Sequence, residues 1–95
     1  MAGYEFDYEA MLTPLKIDLG ISATVYDERL AERLRVAAER IGSMGITLTD
    51  SEADSDLVLM YAAWLWRCRS TQAPMGRMLQ LALNNRLFEE KAREA

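Results

Sequence analysis

A chain of 95 residues is long enough for one domain with a single modest core and too short for a catalytic domain plus a regulatory one. At 51% hydrophobic and 27% charged residues it has the composition of a folded protein rather than of a disordered or membrane-spanning one. Its 15 acids against 11 bases give a net charge of -4, which disfavours general nucleic-acid binding because that affinity comes from neutralised phosphates.

The chain has no histidine, so the commonest general base and metal ligand are missing. Cys68 is the single cysteine; it cannot form an internal disulfide and reads as a small buried apolar group. The first residues carry neither a basic start nor an apolar run, and no signal peptide is expected there.

Residues 1–10, acidic and aromatic, read as a loosely held, flexible arm. Thr13-Pro14 offers a cap and a first-turn proline for a short helix ending at Gly20. Asp27 is placed to cap a second helix reaching about Gly42, with Tyr26, Leu30, Leu34, Ala37 and Ile41 as its apolar stripe. The segment from Gly45 to Leu48 looks extended. Thr49-Asp50-Ser51-Glu52 has the form of a capping box for a third helix running to about Ser70. A loop at 70–74 leads to a last helix from Met75 to roughly Arg93, with 87–95 as its tail. The expected architecture is all-α: a compact bundle of three main helices plus a short N-terminal one, in a single domain over 1–95.

Residues 57–66 are ten apolar side chains in a row within the third helix. At about 100° per residue, Leu57, Tyr61, Trp64 and Cys68 share one face while Leu59, Ala63 and Trp66 point nearly opposite. The run is too short to span a bilayer. It must be covered all round, either as the central helix of the core or with one face against another copy or another protein.

The acids from Asp50 to Asp56 resemble a calcium loop only superficially, because Ser55 stands where the turn needs glycine and Tyr61 where it needs a bidentate carboxylate. They read as first-turn acids complementing the helix dipole. Arg29, Arg33 and Arg40 form a short basic flank on the second helix, read as a solvated face laced by pairs such as Glu32 with Arg35, and secondarily as a subunit contact. Met75, Met78, Leu79, Ala82 and Leu83 form the inner face of the last helix, and the same period carries Arg86 inward. A buried arginine needs a carboxylate, so a fixed pair is expected. Leu87 and Phe88 follow with no evident cover. No nucleophile with a base, cysteine cluster or phosphate loop is found, and neither enzymatic activity nor a metal or cofactor is expected.

Several stretches, in order, resemble the head-tail connector (adaptor) family of long-tailed double-stranded DNA bacteriophages. They are Leu15-Lys16-Ile17-Asp18-Leu19-Gly20-Ile21, Tyr26-Asp27-Glu28-Arg29-Leu30, Met60-Tyr61-Ala62-Ala63-Trp64-Leu65, and Met78-Leu79 through Ala82-Leu83-Asn84-Asn85-Arg86-Leu87-Phe88. Each is weak alone; their order and spacing are the specific part.

The resemblance implies a structural virion protein, assembled in the bacterial cytoplasm into a ring of about a dozen copies under the portal at the head-tail junction. It would extend the DNA channel, let DNA pass without specific binding, and receive a head-completion or tail protein. On that basis Leu59, Ala63, Trp66, Arg29, Arg33 and Arg40 are the expected subunit interface. Arg86, Leu87 and Phe88 are the expected portal contact, since family members engage the portal through their C-terminal part. The long loop common in the family is short here, at Ser70 to Pro74. Two other classes compete: a small helical regulator or nucleic-acid binder using the three arginines, and a dimeric helical adaptor unrelated to phage.

Overall fold

The computed structural model describes residues 4–69 and 74–94. Its regular structure is four helices: α1 (Leu12–Leu19), α2 (Asp27–Ser43), α3 (Glu52–Arg67) and α4 (Arg77–Glu94). Among the described residues there is no strand, so the all-α class holds. The expected loop at 70–74 lies, except for Pro74, outside the described residues.

α1 starts at Leu12, slightly earlier than Thr13-Pro14 suggested, and Pro14 sits within the first turn, where its missing amide costs no helical bond. Gly20 ends it in the left-handed region at φ 71, and the amides of Gly20 and Ile21 bond the carbonyls of Ile17 and Lys16. That is a Schellman ending, and a side chain at Gly20 would strain it.

In α2 the stripe Leu30, Leu34, Ala37 and Ile41 is completely buried. Spacings of four, three and four keep one face inward, and truncating Leu34 or Ile41 to alanine would cost about 2–5 kcal/mol. Asp27 is the first helical residue rather than the cap, and its carboxylate takes a 2.7 Å bond from Lys16 of α1. Tyr26 holds the cap position and remains 41% exposed, outside the buried stripe. After α2, Gly45 turns the chain at φ 102, and Ile46 and Leu48 point inward with Thr47 outward, the alternation of an extended segment.

The expected loose arm is corrected over its described part, residues 4–10. The amide of Tyr4 bonds the carbonyl of Leu48 at 2.8 Å, and Phe6 is only 7% exposed in the core. The physical reason is that Phe6 and Met11 join the apolar core cluster, each contributing roughly 1.5–3 kcal/mol on burial. The Phe6 ring also stacks edge-on against Tyr4 at 5.0 Å.

α3 is the hub, packing against α1, α2 and α4, most extensively against α2. All ten residues from Leu57 to Trp66 are buried or half-buried by the chain itself. The apolar run is therefore a central core helix. The expected cap shifts by two residues: Ser51, not Thr49, caps α3, its hydroxyl accepting from the amide of Asp54. α4 lies on α3 through Leu79 and Leu83. Met78, expected on that inner face, is 71% exposed instead, because the inward arc of the helix centres on Leu79, Leu83, Arg86 and Glu90. No described helix is long and apolar enough to cross a membrane.

Candidate functional site

Arg86 is carried inward by the α4 period, as its spacing implied, and its carboxylate comes from α3. Its Nε donates to Asp54 Oδ1 at 2.7 Å and its Nη2 to Asp54 Oδ2 at 3.3 Å, a two-pronged contact. Nη1 donates to Glu90 Oε1 one turn along α4 at 2.9 Å, and Nη2 also reaches the Thr47 carbonyl at 2.8 Å. The carboxylates are held in turn: Asp54 Oδ2 accepts from the amide and hydroxyl of Thr49, and Glu90 Oε1 accepts from the amide of Thr47. The network ties the 46–49 segment, the start of α3 and α4 into one unit.

Asp54, Arg86 and Glu90 are 2%, 7% and 7% exposed. Burial alone pushes the Asp54 carboxyl up, but hydrogen bonds from Arg86 and Thr49 and the arginine's charge outweigh it, holding the group below the usual carboxylate range. The hydrogen bond from Arg86 holds Glu90 down as well, against burial and with the Thr47 amide helping. Bonding to Asp54 raises Arg86 further, against the cost of burial, with Glu90 adding to the rise. All three are fixed in their charged forms. This arrangement holds elements together.

Arg86, expected as a portal contact, is instead 7% exposed and makes four hydrogen bonds inside the fold. Asp54 is the partner that sequence reasoning missed. Its spacing to Val58 and Tyr61, four and three residues, puts it on the inner face of α3, and that was the available signal.

The expected subunit interface is divided by the structure. Ala63 and Trp66 are buried inside the protomer, with Ala63 at the floor of an open groove between α3 and α4, and Leu59 is half-buried against the core. The Trp66 ring is used internally: Tyr26 lies edge-on at 5.4 Å and the Arg69 guanidinium sits 4.0 Å above it. Trp64 has its own internal partners, an edge-on contact with Tyr61 at 5.7 Å and a bond from Nε1 to the Pro74 carbonyl at 3.3 Å. The two tryptophans thus have separate partners, as their spacing of two residues required, and Trp64 stays half-buried at the groove between α3 and α4.

Arg29 and Arg40 are exposed on α2, while Arg33 is half-buried with its Nε lacking a hydrogen-bond partner among the described residues. The neighbouring Arg35 pairs with Glu39 at 2.9 Å and Glu32 at 3.7 Å, the lacing expected of a solvated helix face. Cys68 is half-buried at the C-cap of α3 rather than deep in the core.

Leu87 is half-buried and packs on the core, whereas Phe88 is 75% exposed. The segment from Leu87 to Glu94 is regular helix rather than a tail. With Phe88, Met78 and Leu81 are 71% and 52% exposed on the outer side of α4. Ile17 near the end of α1 and Val25 in the connection to α2 are 74% and 75% exposed, and Tyr26, next to Val25 in the chain, is 41% exposed. Between α3 and α4 runs an open groove of about 470 Å³ with Met60, Trp64 and Leu79 as its apolar lining and Arg67 and Arg77 at its borders. A second groove, of about 600 Å³, lies between the N-terminal segment and the end of α2. There burial first, then the charges of Glu5 and Glu39, raise the Tyr8 hydroxyl against the opposing charge of Arg35.

No family model, curated protein or solved structure matches the chain.

Proposed function

We propose that the chain is a ring subunit of a phage head-tail connector, docking under the portal, extending the DNA channel and receiving a head-completion or tail protein. The observation that carries this reading is that, of eight exposed large apolar side chains among the described residues, three lie from the end of α1 to the start of α2, Ile17, Val25 and Tyr26, and three on α4, Met78, Leu81 and Phe88, with Tyr4 and Met44 apart from both groups. The core is closed without either group. A subunit that meets both a neighbouring copy and a portal needs apolar surface on two faces, whereas a monomer needs neither; in this reading the Ile17, Val25 and Tyr26 surface meets the neighbour and the Phe88 surface the portal.

The resemblance is compatible with this and is chiefly one of core pattern. Leu15, Leu30, Tyr61, Ala62, Ala63, Leu79, Leu83 and Arg86, all within the resembling stretches, are buried. They support a shared fold more directly than a shared partner. The net charge of -4 suits a channel through which DNA slides, since a basic lining would retain phosphates. In this reading Phe88, with Leu87 beneath it, keeps the portal-contact role. Arg29, Arg33 and Arg40 stay candidates for contacts between neighbours.

Cosedimentation with a cognate portal protein tests the proposal. Binding that is lost in Phe88→Glu supports it; a chain that ignores the portal at every concentration overturns it.

A further inference from the structure

α4 has a second face. Met78, Leu81, Asn85, Phe88 and Ala92 follow one another at spacings of three, four, three and four residues, the spacing of a coiled-coil seam. All five are exposed, and the line they form lies opposite the inward line Leu79, Leu83, Arg86 and Glu90. Over 15 residues the seam is about 22 Å long. Such a seam would be too short to order an isolated helix, but α4 is already held by the core contacts and by the Arg86 network.

We infer that this outer face of α4 pairs with the same face of a second copy of the chain, parallel and in register. Three features select that occupant. Asn85 sits in the middle of an otherwise apolar seam, and in a symmetric parallel pair it meets the identical amide, which satisfies both. Charge selects the direction. In a parallel pair Asn84 faces Glu89 of the other copy and Arg77 faces Ala82, so no like charges meet; in an antiparallel pair Arg77 opposes Lys91 at both ends. Area sets the strength. Met78, Leu81 and Phe88 offer on the order of 400 Å² per copy, and the pair with its polar borders would bury on the order of 1,000 Å², the lower edge of specific interfaces. The dimer is weak and reversible.

The inference does not rest on the connector reading, although the two meet at Phe88. A paired α4 hides that side chain, so pairing and docking through it exclude each other, and the dimer is a resting form that a stronger partner opens.

Sedimentation equilibrium of the full chain from about 5 µM to about 1 mM tests the pairing. A reversible monomer-dimer equilibrium is expected, abolished in Leu81→Glu/Phe88→Glu and retained in Ile17→Glu, with the melting temperatures of all three chains alike. In a Cys68→Ser/Asn85→Cys chain, oxidation should give a disulfide-linked dimer, since in-register seam positions bring the two Cβ atoms within bridging reach. A strict monomer at the highest concentration, an unaffected dimer in the double glutamate variant, or an Asn85→Cys chain that does not cross-link overturns the inference. Portal binding by the double glutamate variant is a separate readout, so loss of pairing and loss of docking are told apart.

Discussion

Arg86 of α4 and Asp54 of α3 meet in a buried two-pronged ion pair, with Nε to Oδ1 at 2.7 Å. The two residues are 32 positions apart, and the contact fixes the last helix against the hub of the fold. Because each is also bonded by a neighbour, Glu90 to the arginine and Thr49 to the aspartate, removing either partner strands a buried charge.

Arg86→Ala should therefore cost about 3–5 kcal/mol, and Asp54→Ala a comparable amount. Chemical unfolding of the two single variants and the double variant checks this. The double variant should be less destabilised than the sum of the singles, since deleting both leaves only Glu90 without its arginine, whereas Arg86→Ala alone strands Asp54 as well. An Arg86→Ala chain that melts like the wild type would contradict the buried pair.

Acid should unfold the protein through the same network. Asp54 and Glu90 have folded-state values held below ordinary carboxylate values, so their contribution is present at neutral pH and above the unfolded-state values of about 4. It disappears as pH falls through the lower folded-state values. Melting temperature should be flat from pH 8 to about pH 5 and fall steeply below about pH 4, and the Arg86→Ala chain should show a shallower fall. Equal slopes for the two chains would remove the network from the acid response.

The network also shows what the sequence made legible and what it hid. The stripe Leu30, Leu34, Ala37 and Ile41 and the inward turn of Arg86 follow from helical period alone. The stop of α1 at Gly20 follows from glycine's access to the left-handed region. Asp54 was harder to place, because an acid in the first turn of a helix has a sufficient explanation in the dipole, and only the full stripe with Val58 and Tyr61 puts it inside. Trp66 was misplaced for a different reason. Period says that its face must be covered, but not whether Tyr26 and Arg69 of the same chain reach round to do it. Phe6 likewise sits in a stretch whose acids look solvated. Its burial depends on a core that exists only once the helices are packed.

DNA binding should be weak and indifferent to sequence. Only Arg29 and Arg40 of the short basic flank are exposed, and neutralising a few phosphates gives too small a counterion-release contribution for tight binding at physiological salt. Mobility shift is the check. A tight, sequence-dependent shift abolished by Arg29→Ala/Arg40→Ala would promote a regulator over a connector.

Docking is better probed at Phe88 than by truncation. Deleting residues 87–95 would remove Glu90 and with it one arm of the Arg86 network, so loss of binding would be confounded with loss of fold. Phe88→Ala removes a largely exposed ring and should shift stability by under about 0.5 kcal/mol while weakening portal binding at least 10-fold, about 1.4 kcal/mol. Isothermal titration with a portal protein measures the second quantity and thermal melting the first.

The connector account turns on whether copies of this chain close into a ring when they meet a portal. Native mass spectrometry of the chain with a cognate portal protein measures this most directly. The account predicts a discrete complex carrying about a dozen copies of the chain on the portal ring, with loss of the complex in Phe88→Glu. A chain that stays monomeric or dimeric in the portal's presence, with no complex at any concentration, would contradict it.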